Sequence, residues 1–217
     1  MNTTQSTKPL KSGNTTWLCS LALFDVALLL ILVFPDAVTT LTVTRLVAGR
    51  MSLTAIIPVA VLLLSSLLPP GLKATLVYFR VTQALPGHRA FSVHAPNDAR
   101  IDMKALQKNV GAFPTVPSEQ NSLWYKLYKK VVSDGAVIDA HRGYLLFRDM
   151  AAMSFLLLLA VPISLGLLGV VTTSIWVVAG VLLAQYILTA LAAMQSGTRF
   201  VKNVLAIHSV RKVTTPR

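Results

Sequence analysis

The sequence predicts an all-α integral membrane protein, with four transmembrane helices forming two hairpins that a helical cytoplasmic segment joins. Apolar residues make up 54% of the chain and charged residues 13%, which is about half of the charge of an ordinary soluble domain. Four apolar stretches each approach the ~20 residues that a helix needs to cross a bilayer. The 20 lysines and arginines lie mainly between these stretches, as is typical of membrane proteins with a basic inner face.

A polar tail, 1-16, precedes the first predicted hairpin, 17-68. The spans of this hairpin are 17-34, which contains Asp25, and 51-68, which contains no charged residue. Four stretches of this length with so little charge favour membrane spans over buried helices of a soluble domain. The tail lacks the pattern of a cleavable signal peptide, so the first span is expected to be retained.

The middle of the chain, 69-149, is predicted to be a basic cytoplasmic segment of short helices. We expect helices at 72-80, 98-110, 119-133 and 136-149. Asn97 and Ser118 are the expected N-caps of the second and third helices, because their side chains can accept hydrogen bonds from the first turn. Asp134, followed by glycine, is expected to end the third helix. The fourth helix is expected to run directly into the next span.

The third of these helices carries an apolar stripe with helical periodicity. The stripe consists of Leu123, Trp124, Leu127, Tyr128 and Val131. This spacing predicts that Trp124, Leu127 and Val131 are buried against protein or lipid. Lys126 and Lys130 lie off the stripe, and we expect them to face water or lipid headgroups.

The second predicted hairpin, 150-194, has spans at 150-171 and 174-194, and a basic tail, 195-217, follows it. Neither span contains a charged residue, and the second contains Gln185. The helix of the second span is expected to continue into the tail through residues 198-202.

The distribution of positive charge predicts the orientation. Both tails and the middle segment together carry 18 lysines and arginines, whereas the loop between the first two spans carries two. Because positive charge is retained in the cytoplasm, both termini are expected there. The net charge of +12 also suits an inner membrane face with anionic lipids. The single cysteine and the absence of a targeting segment favour a bacterial inner membrane.

Polar residues inside the spans are candidate functional positions, because a carboxylate in hydrocarbon is costly. Asp25, Gln185, Pro58 and Pro162 lie at similar depths when the spans are laid out at about 1.5 Å per residue. Each proline leaves the carbonyl four residues earlier without its helical donor. We expect Asp25 to face the bundle or an oligomer interior, close to Gln185 or to polar backbone. Its role is either a structural hydrogen bond or an ion or proton site.

The densest polar cluster lies where the cytoplasmic segment meets the third span. It comprises Asp139, His141, Arg142, Arg148 and Asp149. These side chains have the chemistry for acid-base work on a lipid headgroup. They equally suit an anchor that holds the span through salt bridges and contacts with phosphate. An open cleft at His141 would favour the enzymatic interpretation.

A second set of residues mixes aromatic and cationic side chains outside the spans. It comprises Trp124, Lys126, Lys129, Lys130, Arg199 and Lys202. The set suits binding to anionic lipid or to a cytoplasmic protein partner. Single-stranded nucleic acid is a weaker alternative for the same chemistry.

The sequence has no zincin, P-loop, Rossmann or nucleophile-elbow pattern, so no catalytic residue and no cofactor are predicted. His94, Asp98 and Asp102 are spaced by four and would share one helical face, where they could hold a metal. Pro96 argues against a single helix through all three. We therefore expect no metal site.

Three functions agree with these observations. The first is a non-enzymatic multi-pass membrane protein that presents a basic cytoplasmic surface to lipid or to a protein partner, as a homo-oligomer. The second is an oligomeric channel, transporter or membrane-disrupting effector that uses Asp25 and Gln185. The third is a lipid-modifying enzyme at the cytoplasmic interface. We favour the first, because no motif supplies a nucleophile and four spans are few for a complete transporter.

Overall fold

The computed structural model of the protein describes residues 12–40 and 44–210, and this part of the chain is all helical, without strands. Its α-helices are α1 (Thr15–Val33), α2 (Pro35–Thr40), α3 (Arg45–Leu67), α4 (Pro70–Tyr78), α5 (Met103–Val110), α6 (Pro117–Lys130), α7 (Gly135–Leu167) and α8 (Thr172–Val210). A 3-10 turn at Ser12–Asn14 precedes α1, and a second one at Pro86–Arg89 leads into a π-helical turn at Ala90–His94. The predicted all-α class is confirmed.

Four helices, α1, α3, α7 and α8, are long and apolar enough to cross a membrane. They correspond to the four predicted spans. α7 starts at Gly135, so the helix expected at 136-149 does run directly into the third apolar stretch. α8 continues to Val210, which confirms the expected extension of the fourth helix into the tail.

The connection between α7 and α8 lies earlier than predicted. The spans were expected to meet at residues 172 and 173, but α7 ends at Leu167 and α8 begins at Thr172. Gly169 adopts a left-handed conformation with φ of 68°, and the backbone N–H of Val170 donates to the carbonyl of Leu165. A glycine in this conformation is a common helix end, because it carries no Cβ that would be strained there.

The first connection contains helix of its own. The loop 35-50 was expected to separate the first two spans, and it contains α2 and the first turns of α3. Pro35 occupies the first position of α2, where a proline lacks only a donor that the helix does not use. The side chain of Thr44 accepts a hydrogen bond from the backbone N–H of Val47 and caps α3.

α5 begins five residues later than the predicted helix at 98-110, and the expected cap at Asn97 is wrong. The carboxylate of Asp102 accepts hydrogen bonds from the backbone N–H groups of Lys104 and Ala105, at 2.8 and 3.1 Å. Asp98 instead accepts the backbone N–H of Arg100 at 3.0 Å and pairs with the guanidinium of Arg100 at 2.8 Å. Asp102 therefore caps α5, whereas Asp98 holds the turn that precedes this helix.

The bounds predicted for the next helix also need correction. α6 follows Val116, with Pro117 at its first position, so Ser118 is not the cap. The helix ends at Lys130 rather than at about 133. Asp134 does not end α6; its carboxylate accepts hydrogen bonds from the backbone N–H groups of Ala136 and Val137 and so begins α7.

The described structure has two main cores. One lies among the four long helices, and its fully buried members include Leu29, Met153, Leu157, Leu165 and Leu182. The other forms where α5, α6 and the turns around 86–101 pack on the polar ends of α7 and α8. The α6 stripe belongs to this second core: Trp124, Leu127 and Val131 are buried, whereas Lys126 and Lys130 are exposed. The predicted orientation of this helix is confirmed.

Candidate functional site

Asp25 lies in a polar contact among three of the long helices. Its side chain on α1 is fully buried, as predicted, and Gln185 of α8 lies close enough to interact with its carboxyl group. Neither carboxyl oxygen makes a hydrogen bond of ordinary geometry. The amide of Gln185 instead donates to the hydroxyl of Ser154 on α7 at 3.1 Å. The contact therefore joins α1, α7 and α8, and it includes Ser154, which the sequence did not single out.

The two prolines of the predicted intramembrane set are placed differently from each other. Pro58 is buried inside α3, whereas Pro162 is half-buried inside α7. The polar contact with Asp25 comes from Gln185 rather than from the kinked backbone that the prolines were expected to supply.

A buried cluster of three charges lies at the polar end of the long helices. Nζ of Lys73 on α4 is 3.0 Å from Oδ1 of Asp149 on α7. Nη2 and Nε of Arg148 reach the same oxygen at 3.0 and 3.2 Å. Lys73 is 2% exposed, Asp149 is 4% exposed and Arg148 is 7% exposed. The cluster therefore contains two cations and one carboxylate. We call it the charge cluster.

The structure divides the predicted interface cluster into separate places. Arg148 and Asp149 join Lys73, which sequence analysis did not select. Asp139 and Arg142 are exposed, and the backbone carbonyl of Arg142 accepts a hydrogen bond from Asn14 at 3.1 Å. His141 faces another part of the molecule. Neighbouring residues of one helix point in directions about 100° apart, so proximity in sequence does not bring all five side chains together.

A cavity of about 590 Å³ adjoins the charge cluster, between the start of α1 and the end of α3. Lys73 and Asp149 line its polar part together with Asn14, Ser65 and Ser66. Leu18, Leu62 and Leu63 line its apolar part, and Cys19 also borders it. We call this space the interhelical cavity. Its lining combines the ion pair of Lys73 and Asp149 at one end with an apolar wall.

A second cavity, of about 320 Å³, surrounds His141 and lies among α6, α7 and α8. Five aromatic side chains line it, from Trp124, Tyr125, Tyr128, Tyr144 and Phe200. The ring of His141 stacks on Phe200 with centroids 4.5 Å apart and planes 1° from parallel. The hydroxyl of Tyr128 lies 3.2 Å from Nδ1 of His141. We call this space the aromatic cavity.

The surroundings of His141 favour its neutral form. Burial lowers the pKa of His141 below its ordinary value, and the positive charge of Arg148 acts in the same direction. Asp139, the carboxylate that the sequence offered as its acid-base partner, is exposed and does not line the aromatic cavity. The aromatic cavity thus offers aromatic rings and an imidazole without a carboxylate beside it, rather than an acid-base pair.

The cationic residues predicted to form one surface lie on two separate faces. Lys126, Lys129 and Lys130 are exposed on α6. Arg199 and Lys202 lie on α8, beside an open depression that also includes Asp98 and Arg100. Nζ of Lys202 donates to the backbone carbonyl of Asn97 at 2.8 Å, so this side chain is partly engaged within the protein.

The described residues contain no group of three or more His, Cys, Asp or Glu side chains placed to hold a metal ion. Comparison of the chain with protein family models, with curated proteins and with solved structures gave no match. The charge cluster and the two cavities are therefore the candidate functional sites of the described residues.

Proposed function

We propose that the chain is a non-enzymatic multi-pass protein of a bacterial inner membrane that binds an anionic phospholipid in the interhelical cavity. The observation that carries the proposal is the charge cluster, which buries one more cation than anion beside a cavity with an apolar wall. The exposed lysines of α6 would extend this basic surface to a cytoplasmic protein partner.

The proposed orientation places α1, α3, α7 and α8 across the bilayer as two hairpins, with both termini in the cytoplasm. Contacts support it, because they bring the start of α1 to α7 through Asn14 and Arg142, and the segment after α3 to α7 through Lys73 and Asp149. The ends that meet here carry most of the basic residues of the chain. Positive charge at the inner membrane face agrees with this placement.

The outward faces of the long helices also support insertion into a membrane. Large apolar side chains are exposed on each of them: Leu23 by 69%, Leu64 by 55%, Ile163 by 64% and Leu188 by 67%. A soluble protein rarely exposes a continuous apolar surface of this kind. These faces would contact lipid chains or a second copy of the protein, which is how the expected homo-oligomer would form.

A bound phosphate would add a negative charge beside the two cations of the cluster. Removing an ion from water costs several kcal/mol unless a counter-charge and hydrogen bonds replace the water. Asp149 supplies one negative charge for two cations. A phospholipid phosphate would lie beside Lys73 at the polar end of the cavity, and its acyl chain would lie along Leu18, Leu62 and Leu63. The mixed lining of the cavity suits a lipid better than a free ion.

The two rival functions receive less support from the geometry. A pore between subunits would need Asp25 on the outside of the single chain, but this residue is fully buried inside it. A lipid-modifying enzyme would need an acid-base partner for His141, and the exposed Asp139 lies outside its cavity. A cleft does exist at His141, but its aromatic lining is better suited to binding than to acid-base catalysis.

Thiol labelling of Cys19 tests the proposal, because the chain has one cysteine and this residue borders the interhelical cavity. The full chain is placed in nanodiscs of phosphatidylcholine, with or without phosphatidylglycerol, and the rate of reaction with a membrane-permeable maleimide is measured. We expect phosphatidylglycerol to slow labelling severalfold in the natural chain. Lys73→Gln should abolish the difference between the two membranes, whereas Lys104→Gln, an exposed lysine of α5, should keep it.

A second variant covers the case in which Lys73→Gln fails to fold. Ser66→Phe leaves the ion pair intact and fills the cavity from an exposed position, so it should also remove the effect of phosphatidylglycerol. Inorganic phosphate added to phosphatidylcholine nanodiscs distinguishes a lipid from a free anion. Equal labelling rates in both membranes, or protection by phosphate alone, would contradict the proposal.

A further inference from the structure

We propose that the aromatic cavity binds a mononucleotide, with its base among the aromatic side chains and its phosphate at Lys129. The site is independent of the lipid site, because the two cavities share no lining residue. The inference goes beyond lipid binding and gives the cytoplasmic helices a ligand of their own.

The aromatic lining supplies the surface on which a base would stack. Trp124 and Tyr128 have nearly parallel rings, 12° apart, with centroids separated by 5.9 Å. The ring of Tyr125 lies beside them and is half exposed. Every base has a flat face, and stacking on aromatic side chains is a common and sequence-tolerant way to hold it. Trp124 and Tyr128 are 7% and 8% exposed and stack on each other, so the half-exposed ring of Tyr125 is the face open to a base.

The polar groups of the cavity favour a ligand with hydrogen-bond acceptors. Nε1 of Trp124 can only donate, and it is buried without a partner. A buried donor without a partner loses the hydrogen bonds that it makes to water in the unfolded chain. The hydroxyl of Tyr144 lies close to that of Tyr78 but makes no hydrogen bond of ordinary geometry. A base supplies ring nitrogens and carbonyl oxygens as acceptors.

Asn121 adds a group that can both donate to and accept from the edge of a base. Its carboxamide lies against Gly87, where a Cβ atom would collide with Oδ1 of Asn121 and would lie 2.9 Å from the indole of Trp124. Only glycine fits at residue 87 with this placement, so the turn at Pro86–Arg89 keeps the amide and the indole side by side at the cavity wall.

The positive charge of Lys129 in the lining favours an anionic ligand. Lys129 is exposed at the edge of the cavity, with Nζ 5.3 Å from the ring centroid of Tyr125. No carboxylate occurs among the described residues that line the space. A volume of about 320 Å³ lies at the small end of the range of ligand pockets, roughly 300–1,000 Å³. One base with its sugar and phosphate suits these dimensions better than a larger ligand.

Trp124 fluorescence tests the site directly. Trp17 and Trp176 are 62% and 73% exposed, so changing both to phenylalanine leaves Trp124 as the single tryptophan of the full chain. The detergent-solubilised protein is titrated with the four common ribonucleoside monophosphates, with adenosine and with inorganic phosphate. We expect saturable quenching by at least one monophosphate. Adenosine should bind about tenfold more weakly than its monophosphate, because it lacks the charged contact. Inorganic phosphate should not quench.

Two lysine variants separate a phosphate contact from a general effect of charge. Lys129→Gln should weaken monophosphate binding about tenfold and leave adenosine binding unchanged. Lys126→Gln removes a charge from the same helix but outside the cavity, and it should change neither. Both positions are exposed, so neither variant should disturb folding. The proposal is overturned if no monophosphate quenches, if adenosine and its monophosphate bind equally, or if both variants weaken binding alike.

Discussion

At the scale of single residues, the protein contains buried polar groups that its own chain satisfies only in part. Asp25 has Gln185 beside it without a hydrogen bond of ordinary geometry, and Gln185 is already committed to Ser154. A carboxylate in this position is costly when it is charged. The contact is therefore better explained as a neutral polar link between helices than as a site that holds an ion.

Asp25→Asn tests this interpretation. We expect the variant to fold and to unfold in detergent at the same or a higher temperature than the natural chain. The reason is that an amide has no charge to desolvate and can both donate to and accept from Gln185. Asp139→Asn, an exposed change on α7, serves as the control. A marked loss of stability in Asp25→Asn alone would mean that the carboxylate makes an interaction that an amide cannot replace.

The sequence led to part of the polar contact but not to the charge cluster. The partnership of Asp25 with Gln185 could be predicted, because rise per residue gives the depth of each side chain along its span. Depth does not give the direction in which a side chain points around the helix. For this reason Ser154 was missed. Lys73 was missed because its partner Asp149 is 76 residues away in the chain, and no local pattern reports such a pairing.

At the scale of helices, the ends are set by competition between nearby side chains. The cap of α5 is Asp102 rather than Asn97, and α6 begins at Pro117 after Val116 rather than after a cap at Ser118. The existence of each helix could be predicted from periodicity and composition. The exact ends could not, because several residues near each end are able to cap it and tertiary packing decides among them.

Asp102→Ala tests the cap of α5. The change removes the acceptor for two backbone N–H groups, and the expected loss in the free energy of unfolding is about 1 kcal/mol. Asp102→Asn keeps a side-chain oxygen that caps well, so its loss should be smaller. Unfolding in detergent, followed by circular dichroism, measures both variants. Equal losses would show that the charge of Asp102, rather than its hydrogen bonds, stabilises the helix start.

At the scale of the whole molecule, charge separates the two ends of the long helices. The second core lies at the polar ends of α7 and α8, where the segments 69–149 and 195–210 carry 13 of the 20 lysines and arginines, whereas the connection between α7 and α8 carries none. The four long helices could be predicted from composition. The packing of α5 and α6 on the polar ends of α7 and α8 could be expected only in outline, because the sequence does not tell which faces meet.

Reporter fusions test the proposed orientation. Fusions at residue 115 and at the C-terminus should report the cytoplasm, and a fusion at residue 42 should report the opposite side of the membrane. The reason is that 18 of the 20 lysines and arginines lie in the tails and the middle segment, and translocation of such segments is disfavoured. A cytoplasmic signal from the fusion at 42 would mean that the first hairpin has the opposite orientation or does not cross the membrane.

The uninterrupted course of α7 and α8 has a mechanical consequence. The 33 residues of α7 form a rod about 50 Å long, and no proline lies between His141 and Ser154. His141 on α7 and Phe200 on α8 stack on each other at one level, and Ser154 and Gln185 meet at another. A molecule that separated the ring of His141 from that of Phe200 would move α7 and α8 apart at this level. Because Ser154 lies thirteen residues further along α7 than His141, the separation would bear on its contact with Gln185 before it reaches Pro162 and the far end of α7.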